Sequence, residues 1–499
     1  MTKLILNCSL VLLLTTNLVF SQNPGGVEGS KYWIMNEAQT VSGSSTIKNI
    51  LNFHPAVFFN IADSTFVDEG SLKSEFTFFA VFKSKANANT KIAKIKSNKY
   101  NIKIYPEAIK INDSVQYQKG DVKKGIMVSF KTKKNKLDYN RKIIFKLFDP
   151  ENNPNGEKTQ LIEFIYYPRM LNSYEQNKVE TYLSIKYGIS LLDNKPYVVG
   201  KNKKIWNKDS SNVYQNRITG LGRLDESKLY QKQSLNNLGK DVVMGLTQVD
   251  TLNMLNNNSI ANGCFLLWGD DGENFQMSDA QGSTAIKVLK RKWRVQLTST
   301  DSLYADSLYN ENYKIKIKDN NIGSYLPSDS ETKFVWLAIQ NDEGFFNIST
   351  SRFLKSSGLE DDYWNFENVN WDMDKSGADL FTVVVATDSE IQSIINAQIA
   401  QQTARIVANV KNDPVLSNNL EIFPNPIKPG EEFTINVNFD ESTPAILKID
   451  NLVGQQLHIE DLGEISKTTF KYRIYKEGIY LISVITPNQK YFQKLFVKQ

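Results

Sequence analysis

The chain has 499 residues, 41% of them hydrophobic and 23% charged, with a formal net charge of +5. This is a globular balance and excludes collagen-like and mostly disordered classes. With two histidines and two cysteines, disulfide scaffolds and haem, iron–sulfur or Cys/His zinc sites are excluded as well.

Residues 1–21 read as a secretory signal peptide. Lys3 gives the positive start, 4–14 the apolar core, and Val19 and Ser21 the small residues before a cleavage at Gln22. The apolar run is too short to span a bilayer core of about 30 Å, and no transmembrane span is expected elsewhere. Cys8 leaves with the signal peptide; Cys264, in an apolar run, is expected to be a buried thiol.

Residues 31–168 alternate short strands with turn signals such as Asn152-Asn153-Pro154-Asn155-Gly156. The pattern predicts an antiparallel sandwich or jelly roll over 22–190, closed by a helix starting at Asn172 or Ser173, with a Ser173/Gln176 capping box and a stop at Gly188. Within it, 91–146 holds sixteen lysines and arginines against four acidic residues. That surplus of +12 means the rest of the chain is net −7. A basic sheet face would attract acidic polysaccharide or lipopolysaccharide, with Tyr100, Tyr105 and Tyr117 able to stack on sugar rings. The competing reading is a set of solvated lysines that guard strand edges. Nucleic acid is not an expected partner.

Residues 191–387 read as a second all-β domain. Its Asp372-x-Asp374-x-Ser376-Gly377-x-Asp379 segment has the oxygen ligands and glycine of a calcium loop. The twelfth position is Val383, not glutamate, so a polar hairpin turn is the competing reading. No other cofactor is expected. Gly220-x-Gly222 lacks the rest of a dinucleotide fingerprint. Glu360-x-Asp362-x-x-Asn365 resembles the carboxylate spacing of laminarinase-type jelly rolls but lacks the last acid. His54 is the only histidine outside the C-terminal module that could serve a nucleophile. No catalytic residue is assigned.

Ile391, Ile394, Ile395, Ile399, Ile406, Val407 and Val410 recur at helical spacing. They predict a helical linker over 388–414, about 30 Å long at 1.5 Å per residue. Over 415–499, strands are expected at 433–437, 445–450, 456–459, 468–472, 479–485 and 491–497, forming a small immunoglobulin-like sandwich.

Four pieces of this last stretch carry a resemblance: Phe423-Pro424-Asn425-Pro426; Asp450-Asn451-x-x-Gly454; Gly478-x-Tyr480; and Lys494-Leu495-Phe496-Val497-Lys498 near the terminus. Together they resemble the C-terminal sorting domain of type IX secretion in Bacteroidota. The resemblance implies the type IX machinery as partner, removal of the domain during export, and a released or surface-held product. Upstream, 162–191 resembles the end of a laminin-G or concanavalin-like sandwich. Segments 217–235, 264–275 and 288–297 resemble a domain of unknown function that follows such sandwiches in these surface proteins. The reading is a mostly β, exported binding protein, adhesin-like or glycan-recognising. The alternatives are a structural surface-assembly protein and a polysaccharide-degrading enzyme.

Overall fold

The computed structural model describes residues 23–498 except 36–49, 56–64, 70–74, 85–90, 92, 98–99, 106–107, 119–123, 133–141, 148–158, 192–194, 202, 207–212, 301–310, 327–332, 343–344, 413–418, 452–455 and 488–489. The signal peptide, the 152–156 turn and Gly454 lie outside the described residues. The fold is mostly β, built from antiparallel sheets. The chain divides into two units, up to Thr387 and from Asp388.

The first unit begins with a two-layer sandwich. One layer has four strands in the order Tyr32–Met35, Thr159–Tyr167, Thr77–Ser84, Ile126–Lys131. The other has six, ordered Thr65–Glu69, Lys142–Leu147, Ala93–Lys96, Asn101–Ile104, Ala108–Ile111, Ser114–Gln118. Phe78, Phe82 and Phe164 from the first meet Ile95, Ile102 and Ile104 from the second. The opposite face of the four-stranded sheet is also covered: Phe79, Val81 and Ile165 pack on helix α1 (Ser173–Tyr187). Burial on both faces is why Thr77–Ser84 is almost continuously apolar, whereas the six-stranded layer alternates.

Helix α1 is capped by Asn172, one of the two caps the sequence offers, and its capping box lies one residue earlier than Ser173/Gln176. Asn172, not Ser173, accepts from the Glu175 amide, and Glu175 returns the bond to the Asn172 N–H. The carboxamide of Asn172 and the carboxylate of Glu175 thus form the capping box. Gly188 ends the helix at φ +62°, and a Cβ there would lie 2.2 Å from the Leu235 carbonyl. Beyond α1 lies a second sandwich. Its larger sheet, which contains Cys264–Asp270, Trp293–Ser299 and Ala378–Thr387, faces a five-stranded sheet containing Val242–Leu246, Tyr313–Lys318 and Tyr363–Val369. Phe265 and Leu267, on the larger sheet's outer side, join the α1 cluster. The helix is therefore a middle layer shared by both sandwiches, and Cys264 is a buried cysteine within the second.

Inside this layer Glu163 is buried with Lys186. Its carboxylate accepts from Lys186 Nζ (2.9 Å), Tyr187 OH (2.6 Å), Tyr182 OH (3.0 Å) and Trp33 Nε1 (2.8 Å). Three donors come from α1 and one from the neighbouring strand Tyr32–Met35 of the same sheet, which is what makes a buried acid tolerable.

The second unit holds helix α2 (Asp388–Asn412) and a five-stranded domain: Leu420–Phe423, Glu432–Asn451, Gln456–Arg473, Gly478–Ile485 and Lys490–Val497. Two expected pairs of short strands are each one long strand. Between the expected strands 433–437 and 445–450 the register shifts from Asn438 to Thr443, and the hairpin continues with Thr443 opposite Ile465. Among the described residues, no helix is long and apolar enough to cross a membrane.

Candidate functional site

The four motif pieces of the C-terminal domain behave differently. Phe423 ends the first strand opposite Thr434 and is exposed. Asn425, between Pro424 and Pro426, reaches the last strand: its Nδ2 donates to the Lys494 carbonyl (2.5 Å) and its Oδ1 accepts from the Phe496 N–H (2.9 Å). The next residue continues the pairing, with Ile427 N–H on the Phe496 carbonyl and Lys498 N–H on the Ile427 carbonyl. The amide side chain thus imitates a strand backbone and covers the outer edge of the terminal strand. Gly478 and Tyr480 lie opposite Val497 and Leu495. Tyr480 is buried, and its hydroxyl donates to the Lys476 carbonyl (2.7 Å). Three of the four motifs therefore meet on the terminal strand, 69 residues from Asn425 to Lys494. Residue spacing alone holds no signal for that amide clamp.

The lysine-rich segment forms an ordered row. Lys94 lies opposite Lys103, and Lys103 opposite Lys110, on three neighbouring strands. The Lys146 backbone position stands next in register to Lys94. Because Ile95, Ile102, Ile104 and Ile109 turn into the core, the alternating Lys94, Lys103 and Lys110 point away from it. Asp113 pairs with Lys103 (2.5 Å) and Lys110 sits over the Tyr105 ring (5.0 Å). The hydrogen bond between them raises the Lys103 pKa and lowers that of Asp113. Lys94 and Lys110 have no carboxylate within ion-pair distance among the described residues. Like charges directly opposite one another destabilise a sheet, and the row keeps a net +2 (three lysines less Asp113).

The 371–379 segment is a tight loop before the strand Ala378–Thr387. Both Asp372 oxygens accept from the Gly377 N–H (2.9 and 2.8 Å), Asp374 Oδ1 accepts from the Ser376 N–H (3.2 Å), and Asp379 Oδ2 accepts from the Asp372 N–H (2.6 Å). Ser376 Oγ donates towards Asp372 Oδ1 (3.2 Å). Burial pushes the Asp379 carboxyl up to about 7 and raises that of Asp372. Among the described residues, no group of three or more His, Cys, Asp or Glu side chains is placed to hold a metal.

Two of the remaining sequence candidates have packing roles. Gly220 and Gly222 allow close strand contact: a Cβ would lie 2.5 Å from the Leu266 carbonyl and 2.4 Å from the Phe265 ring, respectively. Glu360 and Asp362 are exposed on a hairpin turn and Asn365 is buried in the next strand, so the three share no cleft. His54 Nε2 is bonded to Gln231 Oε1 (2.7 Å).

Comparison with known proteins separates the two ends of the chain. Residues 421–498 match the family described as "Secretion system C-terminal sorting domain". The chain is a type IX secretion substrate. Its destination is the cell surface or the extracellular medium. Residues 175–376 match "Domain of unknown function (DUF8202)", a stretch that starts within α1 and runs through most of the second sandwich. No curated protein matches.

Three solved structures overlap weakly. The sulfur carrier protein SoxY from Chlorobium limicola f thiosulfatophilum is 15% identical over 21% of this chain and 96% of that one, with a TM-score of 0.15. Dimeric latent PorU from Porphyromonas gingivalis is 10% identical over 86% and 30%, at 0.14. A botulinum neurotoxin type C structure is 8% identical over 63% and 82%, at 0.17. Overlaps this slight carry no argument.

Proposed function

We propose that the exported substrate recognises acidic polysaccharide through the outer face of its six-stranded sheet. The observation that carries this reading is the Lys94–Lys103–Lys110 row, three cations in register on adjacent strands with one carboxylate between them. Strands stand about 4.8 Å apart, so a linear polyanion laid across them meets a cation at each step. Tyr105, under Lys110, adds a ring for stacking. The two-layer sandwich is consistent with the lectin-like resemblance, and export places the face where such polymers occur.

The test is titration of the mature chain with alginate, a polyuronate, and with neutral dextran. Alginate should bind, weaken as salt shortens the Debye length from about 10 Å at 0.1 M, and lose most of its affinity in K94Q/K103Q/K110Q. Dextran binding of equal strength, or alginate binding indifferent to both salt and the triple substitution, would refute the reading. Failure of both polymers to bind would favour a structural surface-assembly role.

A further inference from the structure

A second region of the first unit holds a cleft that takes no part in the lysine row. It lies beside Ser190, just past α1, and holds about 550 Å³, within the size range of small-molecule sites. Asn216, Arg217, Leu238, Asp241, Phe275 and Arg291 line it.

One wall is a strained piece of strand. The strand Asn216–Leu224 loses register against Cys264–Asp270 between Asn216 and Thr219. Inside that irregularity Arg217 has a φ of 48°, a left-handed conformation that a long side chain rarely takes. Bulges re-aim side chains, and strain of this kind gathers at ligand clamps. The Arg217 guanidinium forks onto the buried Asp270 carboxylate, with Nε donating to Oδ2 (2.7 Å) and Nη2 to Oδ1. A second ion pair stands next to it. Arg291 Nη1 donates to Asp241 Oδ2, and Arg291 Nε to the Glu273 carbonyl (2.7 Å). Gly239 separates the pairs: a Cβ there would lie 2.7 Å from Arg217 Cδ and 3.0 Å from Asp241 Oδ2.

Charge and hydrogen-bonding capacity point to the class of ligand. Each guanidinium is matched by one carboxylate, so these pairs offer an anion no surplus of cation. Each guanidinium also keeps one terminal nitrogen, Nη1 of Arg217 and Nη2 of Arg291, without a hydrogen-bond partner among the described residues. Asn216 donates through Nδ2 to the Asp270 carbonyl (3.3 Å) and keeps its Oδ1 as an acceptor. The Asp241 carboxylate is a second acceptor on the same cleft. Donors and acceptors set side by side fit hydroxyl groups, because a hydroxyl both donates and accepts. Phe275 and Leu238 add apolar contact for the C–H face of a ring.

We propose that this cleft binds a neutral sugar ring through adjacent hydroxyls. The inference goes beyond the acidic-polysaccharide reading and does not rest on it, since the residues are different and the ligand carries no charge.

The probes are methyl mannoside, methyl galactoside and methyl glucoside, titrated into the mature chain, with sulfate as the anionic competitor. At least one glycoside should saturate, with equal affinity at low and high salt and no displacement by sulfate. Arg291→Lys keeps a cation beside Asp241 but gives up the planar fork. Affinity for that glycoside should fall at least about tenfold, while the melting temperature stays within about 4 °C of the parent's. Asn216→Ala should lower affinity about three- to tenfold. K94Q/K103Q/K110Q should leave glycoside binding unchanged, and comparing alginate with dextran in the Arg291→Lys background reads the lysine row alone, so the two sites fail separately. No saturable binding of any of the three glycosides, binding that weakens with salt, displacement by sulfate, or an affinity that Arg291→Lys and Asn216→Ala both leave unchanged would each overturn the proposal.

Discussion

The two layers of the first sandwich share one core but differ in what lies outside it. The four-stranded sheet is covered by α1, and its outward residues Phe79, Val81 and Ile165 are buried. The six-stranded sheet presents Lys94, Lys103 and Lys110 instead. One sheet spends both faces on stability; the other keeps one face for charge at a local cost. The contrast teaches that a cluster of like charge in register is where function should be sought.

Substitutions can break that contrast from either side. The largest loss is expected at Phe79→Ala, about 3–5 kcal/mol by chemical denaturation, because the ring sits between the sheet and α1 and contacts Tyr167 edge-on. Glu163→Gln should cost a comparable amount, about 3–5 kcal/mol, since it leaves the buried Lys186 charge without its counter-charge. In the second unit, Asn425→Ala removes two hydrogen bonds at an exposed strand edge and should cost about 1 kcal/mol. Hydrogen exchange at the amides of the terminal strand should report that loss before global unfolding does.

The next effect is one of pH. The Asp379 carboxyl, buried and pushed up to about 7, holds its proton in the folded chain well above the ordinary carboxylate value of about 3.9. Its contribution to stability is full below about pH 4 and is lost as pH rises through about 7. Asp379→Asn keeps an oxygen for the Asp372 N–H and cannot ionise. The melting temperature of the parent should therefore fall more between about pH 5 and pH 8 than that of the variant; parallel curves would contradict the assignment. The smallest effect on stability is expected at the lysine row, where K94Q/K103Q/K110Q should stay within about 0.5 kcal/mol of the parent or slightly above it.

Much of this architecture is legible in the residues. The apolar run at 76–82 reads as a strand, and Ala93–Lys96, Asn101–Ile104 and Ala108–Ile111 show plain alternation. The tail motifs point to the sorting domain by order and placement. Other features depend on contacts far apart in the chain. The lysine row needs the register, because a slip of one residue would turn its cations into the core. Glu163 looks like a solvent-facing acid within a strand until Trp33 and α1 are placed around it. Asn425 looks like a spacer between prolines, since its partners are the backbone of Lys494 and Phe496. The expected strands 433–437 and 445–450 are joined because pairing continues on either side of the register shift.

We propose that the outer face of the six-stranded sheet binds polyanion through its lysine row. The most direct measurement is alginate affinity as a function of salt for the parent and for one, two and three substitutions at Lys94, Lys103 and Lys110. The account predicts that affinity falls with salt and that this dependence becomes shallower with each lysine removed, while the melting temperature stays constant. A salt dependence that is the same in the parent and in the triple variant would contradict it.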